Sequence, residues 1–273
     1  MENHSDCMVK NYLFELLCDF ADYCDQNGLR YYLCGGTLLG AIRHKDFIPW
    51  DDDIDVLMPR PDYERFRECF AANPIRNDYE LLCAENGNSP FPFSKVINKQ
   101  IMVETAFNNL DRNIWIDVFP LDGVPEEKTD SDKMLEYAKK TKRKFAYASA
   151  NLGSGTKLWK KIIKIPVLVF YKVIGKEYYS KKLLRLSQKY SFDQSTYVAG
   201  VAWSCGAKER VNKELFLQYA EVEFHGRLFH APGCWDEYLK NMYGEYMKLP
   251  KESERYAHYI KIVQPNQQEI CGS

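Results

Sequence analysis

A chain of 273 residues is long enough for one large domain, or a domain carrying an insertion, and for a real buried core. Its 37 lysines and arginines stand against 38 aspartates and glutamates, so the overall charge singles out neither a nucleic-acid binder nor an acidic protein. The distribution is uneven, however: from Lys133 to Lys189 there are 16 basic residues and only two acidic ones, Glu136 and Glu177. The nine cysteines, at 7, 18, 24, 34, 69, 83, 205, 234 and 271, form no C-x-x-C pair. Scattered thiols of odd number favour a reducing compartment over a disulfide frame or a zinc site. The opening MENHSDCMVK has no basic stretch followed by an apolar core, so a cytoplasmic location is expected.

Apolar residues at 9, 13, 16, 17, 20, 23 and 24 trace one face of a helix, which Asn27 and Gly28 stop. RYYLC (30–34) reads as a short strand and GGTLLGAIRH (35–44) as a glycine turn opening a short helix. DIDVLM (53–58) reads as the next strand, and Pro61 starts a helix that reaches Ala72. Further strands are expected at 79–84, 93–97, 102–105 and 114–119. From 131 to 150 and from 157 to 190 the pattern is helical and basic, interrupted by NLGSG (151–155), and Pro166 argues for a break or kink. EVEFHGRLFHAP then reads as a hairpin turning at His225 and Gly226, followed by a helix over 234–243 that Gly244 ends. These elements predict an α+β fold: a mixed-sheet core flanked by helices (1–130), a basic helical insertion (131–192), and a C-terminal part that completes the core (193–273).

The chemistry concentrates in WDDDIDV (50–56). Strand alternation sets Asp53 and Asp55 on one side and Ile54 and Val56 on the other; Asp51 joins the pair if the extended geometry reaches back to it, and Asp52 does not. Two carboxylates on one face of a cleft raise each other's pKa unless a cation is present. With oxygen donors alone that cation is Mg²⁺ or Mn²⁺, which bridge readily to substrate phosphates. An EF-hand loop does not fit, because Val56 and Asp62 stand where it needs glycine and glutamate. Upstream, CGGTLLGAIRH places two glycines at a strand-to-helix junction, where backbone N–H groups can approach a phosphate. Downstream, Asp117 interrupts the apolar strand NIWIDVFPLDG, a costly position unless the carboxylate is paired or metal-bound.

Together the glycines, the Asp-x-Asp pair and the later aspartate resemble the arrangement of the nucleotidyltransferase superfamily. The long block YYLCGGTLLGAIRHKDFIPWDDDIDVLMPRPDYERF, with FSKVIN, IDVFPLDGVP and YGEYMKLP, closely resembles the LicD family of phosphocholine transferases and their fukutin relatives. The resemblance implies transfer of a phospho-alcohol, often phosphocholine from CDP-choline, onto a sugar hydroxyl of a cell-surface glycan or teichoic acid precursor, with release of CMP. On this expectation Asp53 and Asp55 hold Mg²⁺, and Asp117 either completes the metal site or takes the proton of the acceptor hydroxyl. Gly35, Gly36 and Thr37 cradle phosphate oxygens, and Arg43 and Lys95 neutralise the diphosphate. Asp51 is a further metal ligand. His44 and His258 are weaker candidates. Trp50, Trp115 and several tyrosines offer either an aromatic box for a quaternary ammonium or ordinary core packing.

The insertion mixes lysines, those at 157, 160, 161 and 164 among them, with Trp159, Phe170 and Tyr171. Its apolar run is too short and too interrupted to span a bilayer. It suits either the inner face of an anionic membrane, where a lipid-linked acceptor would lie, or a solvated helix pair packed on the core. No nucleic-acid recognition module accompanies the charge. The rival activities are a nucleotide-sugar glycosyltransferase, which also uses Asp-x-Asp with a metal, and a membrane-associated scaffold that keeps the fold without the chemistry.

Overall fold

The computed structural model describes residues 4–105, 110–150, 158–252, 255 and 260–263, and for 4–6 and 158–165 the backbone alone. The order begins with α1 (His4–Gln26), β1 (Tyr32–Leu33), α2 (Gly35–His44), β2 (Asp55–Pro59) and α3 (Arg60–Ala72). It continues with β3 (Tyr79–Leu82), β4 (Ser94–Glu104), β5 (Asn113–Val124), α4 (Lys128–Ser149), α5 (Leu158–Ile174) and α6 (Lys176–Ser187). The C-terminal part holds β6 (Tyr197–Ala199), β7 (Val211–Asn212), α7 (Lys213–Leu217), the hairpin β8 (Tyr219–Phe224) and β9 (Arg227–Pro232), α8 (Trp235–Tyr243) and β10 (Lys261–Ile262).

The main sheet is mixed, with the order β1-β2-β5-β4-β10; β3 pairs with β4, and β6 joins the far end of β5 to β7. Only β2 and β5 run parallel among these pairs. Alternation gives the sheet two different faces. Ile54, Val56, Val96, Ile114, Ile116 and Val118 have no exposed surface and face the core. That core also takes in Leu13, Leu16, Leu17 and Phe20 of α1 and Tyr63 and Phe66 of α3. The intervening residues of the same strands, Asp55, Leu57, Lys95, Trp115, Asp117 and Phe119, line a cavity on the other face.

Several expected elements take a different form. The strands expected at 93–97 and 102–105 are one strand, β4, with a register shift between Asn98 and Met102. β2 opens at Asp55, so Asp53 lies just before it, yet Asp117 N–H still donates to Ile54 O at 2.9 Å and keeps that stretch against the sheet. Of the break or kink expected at Pro166, a break is not found: the proline lies inside α5, and the chain turns at Gly175, whose φ of 89° a side chain would resist. The loss of one N–H donor did not end the helix; a left-handed residue did. The hairpin turns at His225 and Gly226 as expected, both with positive φ.

The basic segment is joined to the sheet rather than hung from it. Leu135 and Ala138 of α4 and Leu183 of α6 pack on Val124 and Ala199 of β5 and β6. Phe145 packs on Phe91 and Phe93. NLGSG (151–155), Lys157, His258 and the side chains of Trp159, Lys160, Lys161 and Lys164 lie outside the described residues.

A buried ion pair ties α3 to the sheet. Arg60 Nη2 meets Asp122 Oδ1 at 2.6 Å, with side chains 13% and 1% exposed. Burial pushes the Asp122 carboxyl up to about 7 although Arg60 opposes it. Removing Asp122 leaves the buried Arg60 guanidinium with Glu64 alone, among the described residues, as its ion-pair partner, Nη1 to Oε1 3.0 Å, in a largely dry site. Asp122→Ala is therefore expected to lower stability by about 3–5 kcal/mol, measured by urea denaturation.

Candidate functional site

The cavity holds about 300 Å³ and has the sheet as its floor. Its chemistry is organised by register. Asp55 of β2 is the partner of Asp117 on β5, and Asp117 is in turn the partner of Lys95 on β4. Residues in register on neighbouring strands project to the same side, so carboxylate, carboxylate and ammonium stand in a row across three strands. Asp53 lines the same cavity beside them.

Lys95 is 3% exposed, with its Nζ 2.9 Å from Asp117 Oδ1 and 3.0 Å from Asp111 Oδ1. Burial alone would lower the pKa of this amine, but the two carboxylates outweigh it and hold the amine above its usual range. Three rings complete its surroundings: Nζ lies 4.4 Å from the ring centres of Phe91 and Trp115 and 5.7 Å from that of Phe93. The Asp117 carboxyl is pushed upward, chiefly by burial and further by Asp111 and Asp53, against the pull of Lys95. Asp117 is thus a buried carboxyl held in place by a cation.

The two glycines at the start of α2 stand against the acidic run. A β-carbon on Gly35, where φ is +54°, would lie 2.9 Å from Asp55 Oδ2, and one on Gly36 would collide with Asp51 Oδ2. Their lack of side chains lets a helix N-terminus approach the carboxylates, and both glycines line the cavity. Thr37 is buried and plays a local part, its Oγ1 accepting from Asp55 N–H at 2.9 Å. Asp52 is turned away, as strand parity predicts, and accepts from Ile260 N–H at 2.9 Å just ahead of β10.

Other expected residues lie elsewhere. Arg43 does not line the cavity: Nη1 donates to Tyr246 O at 2.8 Å and Nε to His44 at 2.9 Å. Trp50 sits with Arg43 and Arg255, whose guanidinium carbons are 6.0 and 4.5 Å from its ring, whereas Trp115 faces the cavity. Lys95 is in the cavity, but its charge is committed to Asp117 and Asp111.

Sequence reasoning missed Asp111, Lys142 and Glu209, all of which line the cavity. Lys142 reaches in from α4, with Nζ 3.1 Å from Trp203 O and 3.6 Å from Cys205 Sγ. Glu209 is 8% exposed; its Oε1 accepts from Cys205 N–H at 2.6 Å, and its Oε2 has no hydrogen-bond partner among the described residues. Burial raises its pKa to about 7, with the Cys205 N–H, Lys142 and Lys208 acting in the other direction. In GAKER a glutamate between cations looks like a solvated turn, and only the fold turns it inward.

Residues 28–152 match the family model described as LicD/FKTN/FKRP, nucleotidyltransferase domain. The lipopolysaccharide cholinephosphotransferase LicD of Haemophilus influenzae is 31% identical over 259 residues, covering 90% of this chain and 95% of that protein. The chain belongs to the LicD family. The human ribitol 5-phosphate transferase FKRP is 66% identical over 29 residues, which is 11% of this chain and 6% of that protein. The family-model match, residues 28–152, spans β1, α2, β2, β4 and β5, the elements that build the acidic row.

A divalent ion suits this LicD-family site in donor type. The donors are all carboxylate oxygens, and the cavity lining counts five acidic residues (Asp53, Asp55, Asp111, Asp117 and Glu209) against two lysines. Among the described residues no three histidine, cysteine or acidic side chains form a ready-made cage. Magnesium commonly takes one or two carboxylates and completes its shell with water and substrate phosphate.

The glycines provide the test of this geometry. Gly36→Ala is expected to displace the Asp51 carboxylate and to lower kcat/KM about 100-fold, as misplacement of order 1 Å does, with little change in melting temperature. Gly35→Ala should cost stability as well, about 1–2 kcal/mol, because its left-handed backbone strains a β-carbon. Steady-state kinetics beside thermal melts would separate the two effects.

Proposed function

We propose that this LicD-family phosphotransferase moves a phospho-alcohol, phosphocholine from CDP-choline in the first instance, onto a sugar hydroxyl of a cell-surface glycan such as lipopolysaccharide or a teichoic acid precursor, releasing CMP. The observation that carries the reading is the register row that brings Asp55 and Asp117 abreast, with Asp53 beside them, in a cavity bordered by a glycine-opened helix start. The relative from Haemophilus influenzae, which covers most of the chain, supplies phosphocholine as the first donor to try.

A diphosphate brought among five carboxylates and two lysines would be repelled, so the reading includes Mg²⁺ or Mn²⁺ held by Asp53 and Asp55, with Asp51 near enough to Gly36 to contribute. When bound, the ion supplies positive charge against the phosphates and the departing CMP. The chain's own residues do the rest. Gly35 and Gly36 let the start of α2 approach phosphate oxygens. Asp117, its carboxyl raised by burial, accepts the proton of the attacking hydroxyl, and Lys95 holds it in line. The sheet floor fixes these groups relative to one another, so that alignment contributes much of the rate.

CMP release from CDP-choline, CDP-ribitol and sugar nucleotides is the deciding assay. CMP is expected from a CDP-alcohol, with chelation of divalent ions abolishing it and Mg²⁺ or Mn²⁺ restoring it. Asp53→Asn and Asp55→Asn should each lower kcat at least about 100-fold, the scale of losing a charge-stabilising group. Turnover of a UDP- or GDP-sugar with no CMP from any CDP-alcohol would replace this reading with the glycosyltransferase one.

We also infer contact with an anionic membrane on the cytoplasmic side. No helix of the described residues is long and apolar enough to cross a membrane. On α5, however, Val167, Val169, Phe170, Val173 and Ile174 are between 38% and 82% exposed, while Leu168 alone of that stretch is buried. At 100° per residue those five share one outward arc, and Lys172 borders it. Co-sedimentation with phosphatidylserine vesicles is expected for the intact chain. It should fall at least about fivefold in Phe170→Asp/Val173→Asp, the scale of withdrawing two apolar side chains from lipid.

A further inference from the structure

The groups that line the cavity differ in what they leave unsatisfied. At the acidic row the aromatic surroundings are already filled: the Lys95 ammonium occupies the space among Phe91, Phe93 and Trp115 and is held by two carboxylates. Trp203 likewise has an ammonium over its ring, that of Lys142 at 5.2 Å. A cationic substrate group entering either place would meet a like charge.

Glu209 offers the opposite charge, although Lys142 and Lys208 act on it as well. This side chain lines the cavity with Oε2 lacking any hydrogen-bond partner among the described residues. Lys142 is within 4 Å of the Trp203 carbonyl and the Cys205 sulfur but makes no hydrogen bond to Oε2 of Glu209. Tyr238, Met242 and Tyr243 of α8 line the same cavity. The Lys208 Nζ bond to Met242 O, at 2.7 Å, pins that helix to the turn carrying Glu209. The Tyr238 hydroxyl takes the Gly35 N–H at 3.4 Å, so this wall adjoins the glycine turn and the acidic row. A buried carboxylate with one oxygen lacking a donor, in a cavity that aromatic and thioether side chains also line, matches a cation that carries no N–H: charge attracts it, the rings contact its methyl groups, and no hydrogen bond is forfeited.

We propose that Glu209, walled by Tyr238, Met242 and Tyr243, is the subsite for the quaternary ammonium of the donated alcohol and sets the preference for a cationic over a neutral alcohol. This rests on the phospho-alcohol reading of the same cavity. It makes Glu209 a specificity-determining residue, distinct from the aspartates that handle the phosphates.

The test compares CDP-choline with the CDP ester of its tert-butyl isostere, which has the same shape and no charge. The full wild-type chain is expected to favour choline by about tenfold or more in kcat/KM, the scale of one desolvated cation contact. Glu209→Gln keeps an acceptor for Cys205 N–H and should bring the ratio to about one. Glu209→Asp should retain the preference. Equal handling of the two donors by the wild type, or a ratio unaltered in Glu209→Gln, overturns the proposal. Calorimetric titration of the wild type with choline alone, against the neutral isostere, needs neither turnover nor a folded variant. Choline binding without CMP release from any CDP-alcohol would keep the subsite and discard the transfer reading. CMP release with no preference for charge would do the reverse.

Discussion

The row Lys95, Asp117, Asp55 across β4, β5 and β2 is the interaction on which the rest of the molecule depends. Two carboxylates in register repel each other, and a desolvated carboxylate is costly by itself. The ion pair from Lys95 offsets that cost at Asp117, and the rings of Phe91 and Trp115 shield the pair from water. Asp53 and Asp55 line the same cavity beside this pair, where the proposed function would bring phosphate and a divalent ion.

Much of the surrounding architecture follows from accommodating that row. Glycine at 35 and 36 lets α2 begin against Asp55 and Asp51, where any side chain would collide with the carboxylates. Thr37 then hydrogen-bonds the start of β2, so helix and strand are positioned together. The basic segment has a share in the same cavity, since α4 brings Lys142 to it and Phe145 to its aromatic wall. An insertion read from composition as a surface feature is therefore partly a wall of the site.

Legibility in the sequence tracked the range of the interaction. The Asp53 and Asp55 pair, the glycine turn, Asp117 and the exclusion of Asp52 all follow from alternation within a few residues, and the cavity shows that division. Lys95 was recognisable as a residue of the site but not as the partner of Asp117, because that pairing depends on β4 lying antiparallel to β5. Arg43 is close in sequence to the glycines but is turned to Tyr246, a residue 203 positions away. Glu209 and Lys142 carried no local signal, as each is a charged residue among others.

The sequence by itself determined the mixed α+β character, the acidic and glycine motifs, and through the long block around them the LicD family. Those features are encoded by neighbours along the chain, where periodicity of two or 3.6 residues decides which side chains share a face. Only the tertiary structure decided which charges are paired, which rings are already filled by lysines, and which buried carboxylate oxygen is left without a donor among the described residues. Each of those depends on register between strands or on helices packed from distant parts of the chain, and on burial, which turns an ordinary charged residue into a costly one.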